Sequence, residues 1–329
     1  MEEKLKEIVR NKRVKLCCHW DADGVSSGAL IYHIIKDEVE SITTISKGKK
    51  FIIEKEDIGD EEVIICVDIQ PGDIFDRQII YIDHHPSDLT KKYSFLLHDE
   101  QSQSCSLLIY QKLITDKTNP YFIFLTLLGY FGDQGKKENI PKELKINANN
   151  FIPDLMVKKQ SYYDDGNYLE IEKYVSMLNT GKRKNWSGDI PLELLKCIET
   201  YEPMIYNLHP IAQQLQDYKK ELRDLYSKKH EIKEINGIDI VILSSDKNIQ
   251  GVIAARNIKN KPILVVNQLN NEMIGSMRVP DNLDFNAGKF LDSFNGKLPS
   301  YLGGGHEKAG GFTLDIKEFN DLIELIKEK

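Results

Sequence analysis

Hydrophobic and polar positions follow two rhythms along this chain. Short apolar runs recur at Val14-Lys15-Leu16-Cys17-Cys18, Val63-Ile64-Ile65-Cys66-Val67 and Ile79-Ile80-Tyr81-Ile82, and each stops abruptly at acidic or imidazole residues. Runs of that length, rich in β-branched residues, predict buried strands. Behind Gly24, Val25, Leu30, Ile31, Ile34 and Ile35 recur at helical spacing, so the first strand should pass through a turn into a helix. A further strand is expected over Ser41–Ser46. Strands alternating with helical or loop connections predict a parallel sheet. Ser104–Ile114 and Pro120–Phe131 are apolar enough for buried helices, the second opening with Pro in its first turn. Asp133 follows just past the end of that helix.

Between Lys136 and Pro203 the pattern is weaker and more polar. Small helices are expected there, interrupted by loops at Asn147-Ala148-Asn149-Asn150 and Tyr162-Tyr163-Asp164-Asp165-Gly166. A long helix is expected from about Pro203 to Ile235, striped by Leu208, Ile211, Leu215, Tyr218, Leu222 and Leu225 at spacings of three and four. It reads as a connector rather than a coiled coil, because a new α/β pattern begins at once. That pattern runs through a strand at Ile238–Leu243, a helix at Ile249–Ile258, strands at Pro262–Val266 and Glu272–Val279, and a helical Asn286–Phe294. The glycine-rich Leu302–Gly311 stretch, a strand near Phe312–Ile316 and a terminal helix follow. The expected organisation is α/β throughout: an N-terminal parallel-sheet domain over 1–200, a helical connector over 201–235, and a smaller C-terminal α/β domain with a mixed sheet over 236–329.

Composition narrows the class. With 329 residues, 41% apolar and 29% charged, the chain should fold as an ordinary two-domain protein. No apolar run approaches the roughly 20 residues of a membrane span, and Met1-Glu2-Glu3-Lys4-Leu5-Lys6 lacks the apolar core of a signal peptide. A cytoplasmic protein without membrane association is expected. Five cysteines without a CxxC pair argue against a disulfide framework or zinc ribbon, and Cys17, Cys18 and Cys66 should act as small hydrophobes in strands. The net charge of −7 excludes a surface that wraps duplex DNA. It still allows an enzyme whose massed carboxylates are neutralised by metals.

The chemistry sits where the apolar runs stop. His19, Asp21, Asp23, Asp68, Asp83, His84 and Asp133 occupy four successive element ends, and ligands bind at the carboxyl ends of strands in open α/β sheets. Any one of them alone reads equally well as a turn residue or helix cap. Together they offer the six or more ligands, one carboxylate bridging, that two divalent metals about 3.5–4 Å apart require. Mixed carboxylate and imidazole ligation suits manganese better than calcium, while zinc or iron also fit chemically.

These residues match a family. His19-x-Asp21-x-Asp23-Gly24-x-x-Ser27, Val67-Asp68, Asp83-His84-His85 and Gly132-Asp133 resemble the four motifs of the DHH phosphoesterases. Gly303-Gly304-Gly305-His306-x-x-Ala309-x-Gly311, with Gly275-Ser276-Met277-Arg278 before it, resembles the DHH-associated domain. The resemblance covers both ends of the chain and leaves about Lys136–Ile235 poorly matched. It implies that His19 and Asp21 hold one metal, that Asp23, His84 and Asp133 hold another, and that Asp68 bridges them. The implied cofactors are two Mn²⁺, with Mg²⁺ or another divalent metal as substitutes. It also implies a catalytic pair, with Asp83 orienting a histidine and His85 near the reacting phosphate, and phosphate contacts from Arg278, Ser276, Gly304, Gly305 and His306.

Spacing discriminates within the family. One residue separates His19 from Asp21, where pyrophosphatases and the nano-RNase or 3′-phosphoadenosine phosphatase branch usually have three. The chain therefore resembles the RecJ-type single-strand exonucleases, in their compact archaeal-like form, with no OB-like module after the glycine-rich region. The implied activity is metal-dependent hydrolysis of single-stranded DNA or RNA from an end, with a helicase or a replication or repair complex as partner. Alternatives are hydrolysis of very short oligonucleotides or a small nucleotide, and a non-catalytic replication or repair scaffold. Candidate strand contacts are Lys47, Lys49 and Lys50, Lys136 and Lys137, and Lys182-Arg183-Lys184-Asn185-Trp186, where cations lie beside an aromatic ring.

Overall fold

Buried parallel strands need apolar residues on both faces, and the first three runs supply them. The computed structural model describes residues 1–45, 52–74, 76–87, 89–133, 135–160 and 167–329. Ser46, Lys47, Lys49, Lys50 and the Tyr162–Gly166 interruption lie outside the described residues. The chain divides into two units, 1–182 with 186–219, and 183–185 with 220–329.

In chain order the first unit opens with α1 (Glu2–Val9), β1 (Val14–His19), α2 (Ala22–Ile35), β2 (Val39–Ile45), β3 (Ile52–Ile53), β4 (Val63–Val67), β5 (Gln70–Pro71), β6 (Gln78–Asp83) and β7 (Phe95–His98). Helices α3 (Cys105–Lys112), α4 (Pro120–Gly132) and α5 (Lys142–Phe151) follow, then the hairpin β8 (Lys158–Gln160) and β9 (Asn167–Leu169), and helices α6 (Glu172–Asn185), α7 (Asp189–Cys197) and α8 (Glu202–Ile205). Five strands form a parallel sheet in the order β2-β1-β4-β6-β7. Cys18 pairs with Val67 and Val67 with Ile82, so the residues that follow, His19, Asp68 and Asp83, emerge level with one another. Alternate residues serve opposite faces: Leu16, Cys18, Ile65, Val67, Ile80 and Ile82 pack with Val25, Leu30, Leu108 and Phe124. On the other side Cys17, Ile64, Cys66, Ile79 and Tyr81 pack with Ile45 and Ile53.

The second unit contains β10 (Lys233–Ile235), β11 (Ile238–Ser244), α10 (Gln250–Asn257), β12 (Ile263–Leu269), β13 (Glu272–Arg278), α11 (Ala287–Asp292), β14 (Leu302–Gly305), β15 (Ala309–Asp315) and α12 (Phe319–Lys327). Its sheet, ordered β10-β11-β12-β13-β15-β14, is mixed, with β11 and β12 parallel and the other pairs antiparallel. The α/β class, the N-terminal parallel sheet and the C-terminal mixed sheet are as expected. All five cysteines are free, four of them buried. Among the described residues no helix is long and apolar enough to cross a membrane.

Two expectations are corrected. Asn147–Asn150 does not interrupt the chain but lies inside α5. Leu144 and Ala148, one turn apart, are buried there, and Asn147 Nδ2 donates to Tyr110 Oη at 2.8 Å and to the Lys117 carbonyl at 3.0 Å. Tertiary bonds override the weak helix propensity of Asn. Nor does one helix run from Pro203 to Ile235. The segment forms α8, then a break, then α9 (Pro210–Tyr226), and its end is strand β10. Asn207 adopts a left-handed φ of 54°, Leu208 is 68% exposed, and Pro210, which has no amide to donate backwards, starts a new helix. Leu215 and Leu222 are buried as the stripe implies. Strand β7 and helix α1 were not anticipated, β7 being short with Leu96 exposed.

Candidate metal centre

Each strand end delivers its residues by a local device. After β1, Asp21 caps α2 by accepting from the Gly24 amide at 3.1 Å. Helix α2 backs directly onto the strand, and a Cβ at Gly24 would collide with the His19 carbonyl. Asp23, in the first turn, is 1% exposed. Its oxygens accept from the Cys105 amide at 2.7 Å and the Ser106 amide at 3.0 Å, the opening amides of α3, and from Ser27 Oγ at 3.2 Å. A helix N-terminus favours such a carboxylate. After β4, Asp68 takes a left-handed φ of 58° while its amide bonds the Ile82 carbonyl at 2.9 Å. Asp is among the few residues that tolerate that conformation. Asp133 caps the end of α4. That helix comes close because Gly129 and Gly132 lack side chains: a Cβ at Gly129 would strike Ser106 Oγ and Asp23 Oδ1, and one at Gly132 would lie 2.7 Å from Ala22 Cβ.

Asp83, fully buried at the end of β6, is occupied in shaping the next turn. Its Oδ1 accepts from the His84 amide at 2.6 Å, the His85 amide at 3.1 Å and His85 Nδ1 at 2.8 Å, and its Oδ2 accepts from Tyr81 Oη at 2.8 Å. His84 Nδ1 lies 3.0 Å from the Ser102 carbonyl. A carbonyl can only accept, so Nδ1 carries the proton and Nε2 presents a lone pair.

The groups converge. His84 Nε2 is 3.4 Å from Asp133 Oδ2, 3.5 Å from Asp68 Oδ1 and 3.8 Å from Asp23 Oδ2. His19 Nδ1 is 3.1 Å from Asp21 Oδ1 and 3.7 Å from Asp68 Oδ2. Asp68 thus turns one oxygen to each cluster. The donor atoms fall into the groups His19–Asp21–Asp68, Asp23–His84–Asp133 and Asp68–Asp83–His84–His85, each within 4.8 Å. Every residue expected at the metals is in this gathering.

Burial and mutual repulsion shift the ionisable groups gathered here. Burial first, then Asp23 and Asp21, push the Asp68 carboxyl well above the usual range. Burial, with Asp23, raises Asp133 to about 6. Burial also acts upward on Asp21, but His19 and Lys182 outweigh it and hold that group low. The hydrogen bond to Asp83 raises His85 to about 9. Asp68 Oδ1 and His84 Nε2 are buried without a hydrogen-bond partner. Crowded carboxylates and an aimed imidazole lone pair, mutually repelling when ionised, fit divalent cations.

In the second unit Arg278 and Ser276 lie together on β13, where Arg278 Nη1 donates to Ser276 Oγ at 3.1 Å and to the Met277 carbonyl at 2.8 Å. Gly304 and Gly305 are on β14, paired with Gly311 and Gly310, and His306 follows, exposed, its amide bonding the Ala309 carbonyl at 2.7 Å. The glycine-rich stretch is therefore largely a hairpin rather than an open loop. Lys137 bonds the Asn167 carbonyl. Lys182 lies 3.6 Å from Asp21 Oδ2. The Ser102 carbonyl and the α3 amides escaped the sequence reading because main-chain groups leave no residue signature.

No family model and no curated protein matches the sequence. Solved structures do match. RecJ from Thermus thermophilus, in complex with Mn²⁺, is similar over 99% of this chain and 54% of that one, with a TM-score of 0.67 at 16% identity. An exonuclease RecJ bound to manganese is similar over 99% and 93%, with a TM-score of 0.64 at 17% identity. The pGpG-specific phosphodiesterase PggH from Vibrio cholerae is similar over 96% and 99%, with a TM-score of 0.51 at 13% identity. The chain spans about half the length of the Thermus protein. Its fold is that of the RecJ-like DHH proteins.

Proposed function

We propose that this chain is a metal-dependent phosphodiesterase, a RecJ-like exonuclease that hydrolyses single-stranded DNA or RNA from an end. The observation that carries this is Asp68, buried between two donor groups and facing both. In this reading His19 and Asp21 hold one divalent cation, Asp23, His84 and Asp133 hold a second, and Asp68 is shared; Mn²⁺ or Mg²⁺ suits the donors. Bound cations would activate water and neutralise charge on a phosphate ester. The chain's own residues do the rest. The Ser102 carbonyl fixes the His84 tautomer, so that its lone pair stays aimed inward. Asp83 accepts from His85 Nδ1 and favours the charged form of that ring, which leaves Nε2 to serve a phosphate or leaving oxygen. His85 has the most open side chain of the set, 38% exposed. Arg278, seated by Ser276, would fork onto a phosphate, with Gly304, Gly305 and His306 offering further contacts. Single-stranded ends are the proposed partners, delivered by a helicase or repair complex.

A second reading, hydrolysis of dinucleotides or very short strands, is favoured by the near end-to-end likeness to the Vibrio phosphodiesterase. The test is incubation with Mn²⁺ and end-labelled strands of graded length, beside pGpG and 3′-phosphoadenosine phosphate. A ladder from long strands supports the exonuclease. Cleavage of only the shortest substrates supports the second reading, and no turnover by metal-loaded protein sinks both in favour of a scaffold.

A further inference from the structure

The last turn of α6 ends beside the first donor group. Lys182 Nζ is 3.6 Å from Asp21 Oδ2, at 24% side-chain exposure. Asp21's other oxygen is already engaged by the Gly24 amide and by His19. The corner after α6 is pinned in place. Trp186 closes the helix in a left-handed conformation, and its ring packs against Trp20 with centroids 6.3 Å apart. Asp189 Oδ1 accepts from the Thr44 amide at 2.9 Å and from Thr44 Oγ1 at 2.7 Å, and the Gly188 amide donates to Thr44 Oγ1 at 3.1 Å. These contacts tie the corner to the end of β2 and to the loop that carries Asp21, so the ammonium is held at the rim rather than swung past it.

An ammonium beside a carboxylate that also serves a divalent cation competes with that cation, because like charges at this range repel. Once Asp21 serves the cation, Nζ loses that pairing, and a phosphodiester bound at the same donor group would bring anionic oxygens to it in place of the carboxylate. We propose that Lys182 exchanges partners: it pairs with Asp21 before cation loading and with a phosphate oxygen of the bound strand afterwards. The inference rests on the phosphodiesterase reading.

Two measurements with opposite signs test it. In Lys182→Met, calorimetric titration of metal-free protein with Mn²⁺ alone should show binding tightened by roughly threefold, since a competing charge is gone. Binding of a fluorescent single strand protected by phosphorothioate linkages, with Mn²⁺ present, should weaken by about fivefold. The log–log salt slope of that binding should fall by about 0.7, the value of one phosphate contact on a single strand. Lys182→Arg should restore the slope. A role confined to packing would weaken both ligands or neither, and an unchanged salt slope in a folded Lys182→Met protein would overturn the exchange. Wild-type protein that hydrolyses unprotected strands, alongside an unchanged slope, would sink this inference alone. Wild-type protein that hydrolyses no phosphodiester would sink the parent reading with it.

Discussion

One oxygen of Asp83 accepts from both the ring Nδ1 of His85, at 2.8 Å, and its backbone amide, at 3.1 Å. Asp83→Asn separates charge from geometry here. An amide oxygen can keep these bonds, while the new NH₂ can donate to Tyr81 Oη, which then donates to Ser87 Oγ at 2.6 Å. The His85 imidazole, followed by NMR in metal-free protein, should titrate well below its present value of about 9. Turnover should fall on the order of a hundredfold, the usual loss for a positioned acid. An unmoved His85 titration would show that the charge of Asp83 is not what holds the proton.

Metal-free protein should lose stability as pH rises from about 4 to 9. Asp133, raised by burial and Asp23 from 3.8 to about 6, stabilises fully below its unfolded value and loses that contribution as pH rises through 6. His85, raised by Asp83 from 6.5 to about 9, does the same over the higher window. Asp21 and Asp83, which are held low, act only below the usual carboxylate range. Saturating Mn²⁺ should reverse the slope, because cation binding favours deprotonated ligands. Melting temperatures across this range, with Mn²⁺ and with chelator, check both signs.

Asp68→Asn should abolish turnover and raise the melting temperature of the metal-free protein, since it removes a carboxyl whose ionised form burial and its acidic neighbours disfavour while tolerating the left-handed backbone. Asp68→Ala should be equally inactive but less stable than Asp68→Asn, by about 1 kcal/mol of backbone strain. Wild-type turnover in either variant would remove Asp68 from the shared position.

Gly129→Ala places a methyl group against Ser106 Oγ and Asp23 Oδ1. The expected cost is about 1–3 kcal/mol in unfolding free energy, together with weakened Mn²⁺ binding as α4 and Asp133 are pushed outward. Denaturant titration and calorimetry read the two effects. Stability and affinity both at wild-type levels would mean that α4 does not set the spacing.

Much of the first unit was legible because strands buried on both faces are written as unbroken apolar runs, and these end at His19, Asp68 and Asp83. The level register of those ends is what gathers the expected donors, although residues in between supply the other half of each motif. Less was legible where tertiary contacts overrule local preference. Asn147 is helical because Tyr110 and Lys117 receive its amide, which no periodicity reveals. The stripe through Leu208 and Leu215 keeps helical spacing across a proline break, so spacing alone could not find the end of α8. Lys182 reads in the sequence as one of a run of cations, but its pairing with Asp21 depends on a corner that Asp189 ties to Thr44, far away in sequence.

The approach of α2 to β1 and of α4 to α2 is set by Gly24, Gly129 and Gly132, at points where main chain meets main chain or a site carboxylate directly. Spacing fixed in this way is insulated from the interior filling around it. Core side chains can be traded volume for volume over long divergence while the carboxylates stay where they are, so an architecture of this kind can outlast almost every trace of the wording that first encoded it.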